Sequence, residues 1–303
     1  MSVLHSFPAR LLSVVLAVFA GHAAAQDAID MHGKTAFVTG STSGLGEVVA
    51  RRLGAMGATV IVHGLDEKRG AAIAADITAK GPGRAVFYPG DLNSLAEVGK
   101  LAARVRNGHR QLHLLINNAG IFGAPDQPRR LSADGYEQIF AVNYLSHFLL
   151  TRELLPLLES SAPARIVNVA SGAQRPMEFG DIMLEKSFST VAAYSQSKLA
   201  QILFTNSLAE KLDPSRVTVN ALHPASLMNT PMVEGMKVQP RSSVEDGANA
   251  VMQVAVGRGV TGRTGLYFNQ MNEARANAQA YDAQARQRLW DLSTKLIDER
   301  STR

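Results

Sequence analysis

K-T-A-F-V-T-G-S-T-S-G-L-G, residues 34–46, decides how this chain folds. Residues 34–39 read as a short buried strand, and an Ala-, Val- and Leu-rich helix follows the glycines to about residue 56. Strand, glycine turn and helix in that order is the context in which a glycine cluster becomes a phosphate cradle. Gly40 permits the tight turn, Gly44 lets backbone approach a pyrophosphate, and Gly46 allows the helix to pack closely. Ser41, Thr42, Ser43 and Leu45 fill the turn between them. The helix N-terminus adds free N–H groups and positive potential.

Outward from this unit, strands are expected at 58–63, 85–88, 112–116, 165–169, 217–221 and 266–268, with helices between them. That alternation predicts a single-domain α/β fold over residues 33–297. It is a doubly wound parallel sheet of the Rossmann type, with about seven strands and helices on both faces. Ligands then bind at the carboxyl ends of the strands. The second strand ends in Gly64-Leu65-Asp66, where a carboxylate would favour NAD and an arginine NADP. Gly64 and Leu65 are neither, while Lys68 and Arg69 lie just beyond. Asp91 and Leu92 end the third strand, with Asn93 and Ser94 as rival helix caps to Asp91. Asn118, Ala119 and Gly120 end the fourth, in N-N-A-G at 117–120. A helix is expected over 132–158, carrying Asn143. Ser171 follows the fifth strand, and Pro224 follows the sixth.

Tyr194 and Lys198 fall one turn apart on a further helix expected over 193–212, so both side chains can face one site. A phenol titrates near pH ~10 in water, and a nearby cation favours its ionised form. Such a pair can move a proton near neutral pH. A tyrosine and a lysine at this spacing also occur on ordinary amphipathic helices, so the pair gains meaning only with the glycine turn upstream.

The 303 residues are 46% hydrophobic and 19% charged, enough for a sizeable core. A net charge of +5 with scattered Lys and Arg makes nucleic acid an unexpected partner. The absence of cysteine excludes disulfides, thiolate metal sites and Cys nucleophiles, and no metal site is expected. Residues 1–25 have the three-part layout of a secretory signal peptide: His5 and Arg10, an apolar run at 11–20, and Ala23-Ala24-Ala25. Export to the periplasm or outside the cell is therefore expected. A start at Met31 would instead make the protein cytoplasmic, where soluble nicotinamide cofactors are kept.

By its motifs the chain resembles the short-chain dehydrogenase/reductase family over about residues 33–297. These are T-G-S-T-S-G-L-G at 39–46, N-N-A-G at 117–120, Asn143, Ser171 and Y-S-Q-S-K at 194–198. V-N-Y-L-S-H-F-L-L-T at 142–151, S-K-L-A at 197–200, V-T-V-N-A-L-H-P at 217–224 and R-L-W-D-L-S at 288–293 look like its retinol-dehydrogenase-like branch. The resemblance implies an NAD(P)-dependent oxidoreductase interconverting an alcohol and a carbonyl. Tyr194 would be the acid in reduction and the base in oxidation. Lys198 would lower its pKa and bind the nicotinamide ribose, Ser171 would hydrogen-bond the substrate oxygen, and Asn143 would hold a water linking Lys198 to solvent. The glycine turn, Asp91, Leu92, Asn118, Ala119, Gly120 and Pro224 would meet the cofactor. Three positions depart from the pattern: Ala225 replaces a glycine, Thr230 stands one place late, and Leu65 replaces the arginine found in many NADP users of the branch.

An enzyme is favoured over a non-catalytic dinucleotide binder, because a silent binder has no use for Ser171, Tyr194, Lys198 and Asn143 together. Reduction of a carbon–carbon double bond is the other alternative, and it would need no serine. With no decisive charge near Leu65, NADP(H) is expected only slightly ahead of NAD(H). Met177, Phe179, Ile182, Met183, Leu184 and Phe188, then Leu227, Met228, Met232, Val233 and Met236, are the expected walls of an apolar substrate pocket. The helices at 132–158 and 193–212 offer faces for a homo-oligomer.

Overall fold

Strand β1 (Thr35–Val38) has no exposed residue, because helices cover both faces of the sheet it centres. The computed structural model describes residues 29–124 and 127–301. The leader expected at 1–25 lies outside them. Among the described residues no helix is long and apolar enough to cross a membrane.

After β1 come α1 (Gly44–Ala55), β2 (Thr59–Gly64), α2 (Glu67–Lys80), β3 (Arg84–Pro89), α3 (Leu95–Gly108) and β4 (Leu114–Asn117). The next helical run, α4, joins Gln138–Phe140, a π-helical turn Ala141–Leu145 and Ser146–Ser160. Then follow β5 (Ala164–Val169), α5 (Thr190–Ala209), β6 (Val217–His223), α6 (Pro231–Gly235), α7 (Val244–Val256), β7 (Tyr267–Asn269), β8 (Asn272–Ala274) and α8 (Ala283–Ser301). The strand order is β3-β2-β1-β4-β5-β6-β7-β8. All neighbours are parallel except β7 and β8. Strand order reverses between β1 and β4, which opens a crevice at their carboxyl ends.

The doubly wound parallel sheet is as expected, with two local corrections. It has eight described strands rather than about seven, since β8 folds back along β7 as an antiparallel edge. Helix α4 begins at Gln138, not near 132. Residues 131–137 form a tight turn instead, with Gly135 at φ 84° and a bridge between Leu131 and Glu137. The buried Glu137 carboxylate starts the helix by accepting from Ile139 N (2.9 Å) and Phe140 N (2.7 Å).

One core packs α1, α2 and α7 on one face of the sheet, and the other packs α3, α4, α5 and α8 on the opposite face. Helix α5 is buried at 17 of its 20 residues, so it keeps no free face for a second copy. Its would-be pairing face is covered by α8. Trp290 packs edge-on to Phe148 and near Phe204, and Ser293 hydrogen-bonds the Tyr144 hydroxyl at 2.7 Å. Leu289, 1% exposed, anchors the same contact. Leu289→Ala should lower unfolding stability by about 2–5 kcal/mol in denaturant titrations. A loss below about 0.5 kcal/mol would mean that α8 is not part of the core.

Candidate active site

The register Val38↔Ile116 makes the chain leave β1 and β4 side by side. There the Thr39 hydroxyl accepts from Asn118 N (2.9 Å) and Ala119 N (3.0 Å). Asn118 Nδ2 returns bonds to the carbonyls of Thr39 (2.8 Å) and Gly40 (3.2 Å). The glycine turn and N-N-A-G are thus one welded unit.

Above it lies a cleft of about 1150 Å³, larger than a single small ligand needs. Its floor includes the N-terminus of α1, whose cap Ser43 makes no side-chain hydrogen bond to the helix. The first-turn N–H groups are therefore available to an anion. Gly44 adopts φ 52°, and Gly46 packs so closely that a Cβ would fall 2.3 Å from the Gly40 carbonyl oxygen. This cradle fits a pyrophosphate. Thr42, Ser43, Leu45, Asp91, Leu92, Asn118, Ala119, Gly120 and Pro224 all line the cleft. Ser41 does not. It is fully buried beneath the turn, its hydroxyl donating to Val38 O and accepting from His63 N, so it serves the turn rather than a ligand.

Sequence reasoning missed His63. Its Nδ1 accepts from Gly40 N (3.1 Å) and its Nε2 pairs with Gly90 O (3.1 Å), clamping the glycine turn to the loop carrying Asp91. Burial pulls its pKa down to about 4, so the clamp is neutral. Only its place at a strand's carboxyl end could have marked it. Nearby, Asp66 caps α2 by accepting from Arg69 N (2.9 Å), and Arg69 pairs with Glu47 (2.8 Å). Both charges are thereby engaged. A Cβ on Gly64 would meet Thr42 Oγ1 at 2.4 Å, so Thr42 fills the place of a strand-end side chain.

Tyr194 and Lys198 stand on the N-terminal half of α5, capped by Ser189. Ala173 N donates to Ser171 Oγ at 3.1 Å, which leaves the serine proton for its hydrogen bond with Tyr194. Burial pushes the Tyr194 phenol above its ordinary pKa, and the Ser171 bond only partly offsets this. Lys198 Nζ lies 5.7 Å from the Tyr194 ring centre and donates to Val169 O at 2.8 Å. Burial lowers its pKa to about 7, so near neutrality it carries only part of its charge. The implied lowering of the tyrosine by the lysine is therefore outweighed in this structure by desolvation of both groups.

Asn143 sits in the π turn of α4. Its side chain accepts from Ile121 N (2.7 Å) and donates to Ile121 O (2.9 Å) and Ser197 Oγ (3.0 Å). His147 Nδ1 meets its backbone carbonyl at 3.0 Å. Asn143 thus braces the loop after N-N-A-G, and it faces Lys198 across Gly120. A Cβ on Gly120 would lie 3.3 Å from Asn143 Oδ1 and 3.5 Å from Lys198 Nζ.

Half of the expected apolar wall is present. Leu227, Met228, Met232, Val233 and Met236 line the cleft, but no residue of the expected stretch 177–188 does. That loop is drawn into the protein instead. Met177 N binds the Gln279 side chain, Gln196 Nε2 binds Ile182 O, and Arg129 Nε binds Met183 O. Ile121, Phe122 and Val191 form the opposite wall, with the Phe122 ring 5.0 Å from that of Tyr194. The late Thr230 caps α6 and reaches the glycine turn, where a Gly44 Cβ would lie 3.2 Å from its methyl. Leu227, left-handed at φ 49°, lies in the stretch that holds the extra residue. His223, at the carboxyl end of β6, also lines the cleft and pairs with Ser226 (3.0 Å).

Fold and cleft together define a dinucleotide-dependent oxidoreductase. The chain belongs to the short-chain dehydrogenase/reductase family, in its retinol-dehydrogenase-like branch: a family model described as short chain dehydrogenase matches residues 34–240. Mouse retinol dehydrogenase 14 is 36% identical, over 88% of this chain and 86% of its own length. Human retinol dehydrogenase 12 is 33% identical, over 89% and 88%. A crystal structure of an uncharacterised protein from Mycobacterium paratuberculosis superposes with a TM-score of 0.74 at 30% identity, covering 91% of this chain and 97% of that one. An active-site complex of Pseudomonas aeruginosa RhlG with NADP gives 0.66 at 26% identity, over 80% and 96%. This chain is accordingly an NAD(P)-dependent oxidoreductase acting between alcohol and carbonyl.

Gly44→Val should abolish binding of both NADH and NADPH by the folded protein, because a branched side chain enters the cradle at a left-handed position. Titration at the parent affinity would reduce the glycine turn to a mere connection.

Proposed function

We propose that the protein interconverts an apolar alcohol with its aldehyde or ketone, using Tyr194 as the proton-transferring group. The observation that carries this reading is the Ser171–Tyr194–Lys198 cluster at the base of a cleft walled by Phe122, Val191, Leu227, Met232 and Met236. The dinucleotide supplies the two-electron chemistry at the substrate carbon. The protein supplies the rest. In reduction, Tyr194 gives its hydroxyl proton to the substrate oxygen while Ser171 donates a hydrogen bond to that oxygen as it gains charge. In oxidation, the ionised phenol takes the alcohol proton. Lys198 provides positive charge beside it and, with one N–H turned to the cleft, a donor for the nicotinamide ribose. The serine speaks against carbon–carbon double-bond reduction, which has no oxygen to polarise.

The test is to incubate protein lacking residues 1–25 with NADH or NADPH and a panel of apolar and polar carbonyls. Turnover should favour the apolar members. Tyr194→Phe should lower kcat at least about a hundredfold, with dinucleotide affinity nearly unchanged. A variant that kept most of its rate would remove Tyr194 from this role.

For the cofactor, we infer weak discrimination with NADP slightly ahead. Thr42 offers a neutral hydroxyl where a charged residue would decide the matter, and such a bond is worth about 1 kcal/mol. The preference should therefore be about tenfold or less. Leu65, 71% exposed, has room for a longer side chain. Leu65→Arg should move the NADP-to-NAD ratio of kcat/KM at least about tenfold towards NADP, through a charge-assisted contact. An unchanged ratio would place the 2′ group elsewhere.

A further inference from the structure

Gln201 lies on α5 among Leu199, Ile202 and Leu203 and is 1% exposed. Its Oε1 accepts from Lys198 Nζ at 3.0 Å, one helical turn away. Lys198 has three N–H donors. Val169 O and Gln201 Oε1 take two of them, so the third is turned to the cleft, past Gly120. The carboxamide orientation follows from this contact, because a flipped amide would aim donors at the ammonium. In that orientation Gln201 Nε2 finds no protein acceptor, which is unfavourable for a buried donor. A methionine would fill similar space without stranding a polar atom. The glutamine thus serves its oxygen.

Behind Gln201 a buried polar file fixes the helix to the sheet. The Thr205 hydroxyl donates to Gln201 O (2.8 Å) and accepts from Asn168 Nδ2 (2.8 Å). Asn168 Oδ1 accepts from Asn117 Nδ2 (2.8 Å), which also reaches Thr151 Oγ1 (3.0 Å). The file runs from the reacting end of α5 to β5, β4 and α4.

We propose that Gln201 is a positioning residue whose side-chain oxygen holds the Lys198 ammonium in its charged, cleft-facing arrangement. This rests on the reading of Tyr194 and Lys198 as the proton-transfer pair. An acceptor at this distance favours the ammonium form, against the burial that lowers it. The other titratable groups facing Lys198 are Tyr194 on its own helix, His147 of α4 and His223 at the end of β6. Burial holds both imidazoles towards their neutral forms, so neither adds a second positive charge that would oppose the ammonium.

The experiment is an NMR titration of the Lys198 ε-carbon in the full chain, for the parent, Gln201→Met and Gln201→Glu. Lys198 should titrate lower in Gln201→Met by about half a pH unit or more, and higher in Gln201→Glu by at least as much. The kcat/KM of Gln201→Met at pH 7 should fall about tenfold, as for loss of one bond to a charged group. An unmoved Lys198 titration in both variants would overturn the proposal. Should Gln201→Met fail to fold, Gln201→Glu decides alone, and an unmoved titration there overturns it equally. The titration does not depend on turnover. It therefore fails or holds separately from the role of Tyr194, which Tyr194→Phe addresses.

Discussion

The hydrogen bonds at Thr39 join the two loops between which the cleft opens. Strand order reverses between β1 and β4, and that reversal would leave two unrelated loops at the edge of a crevice. A single hydroxyl accepting from Asn118 N and Ala119 N makes them one surface. His147 continues the tie from below, its Nε2 meeting the Thr39 hydroxyl at 3.1 Å while Nδ1 meets the Asn143 carbonyl. The phosphate cradle, N-N-A-G and the π turn of α4 thereby share one set of buried contacts, and His63 adds a second clamp from β2. Positioning by sheet and helix, rather than by mobile loops, is what proton transfer over short distances demands.

The same burial sets the electrostatics. Desolvation raises the Tyr194 phenol and lowers the Lys198 ammonium, so both groups are moved towards their neutral forms. Ser171 and Gln201 act against that tendency from opposite sides, one hydrogen-bonding the phenol and the other the ammonium. Burial remains the larger influence on both, so the free pair leans towards its neutral forms, with the hydrogen bonds of Ser171 and Gln201 limiting the shift.

Much of this was legible in the sequence where the physics is local. Apolar runs of four to six residues between helical segments gave the strands of a parallel sheet, since strands covered on both faces need no polar alternation. The spacing of Tyr194 and Lys198 gave their shared face. Less legible was whatever depends on distant partners. Strand β8 is N-E-A, with no apolar run to announce it. Residues 177–188 are as apolar as a ligand wall, yet they are captured by Gln279, Gln196 and Arg129, whose positions only the fold determines. Ser41 belongs to the glycine motif but faces inward, because the turn needs its hydroxyl for Val38 and His63. The burial of α5 under α8 likewise needs the aromatic cluster around Trp290, contributed from three separate helices.

The central claim is that one buried phenol moves the proton in both directions. It is tested most directly by the pH dependence of kcat/KM for oxidation and reduction of a single alcohol–carbonyl pair. Oxidation needs the ionised phenol and should rise with pH, whereas reduction needs the protonated phenol and should fall, the two sharing one inflection. Profiles that ran parallel, or that stayed flat in both directions, would contradict it.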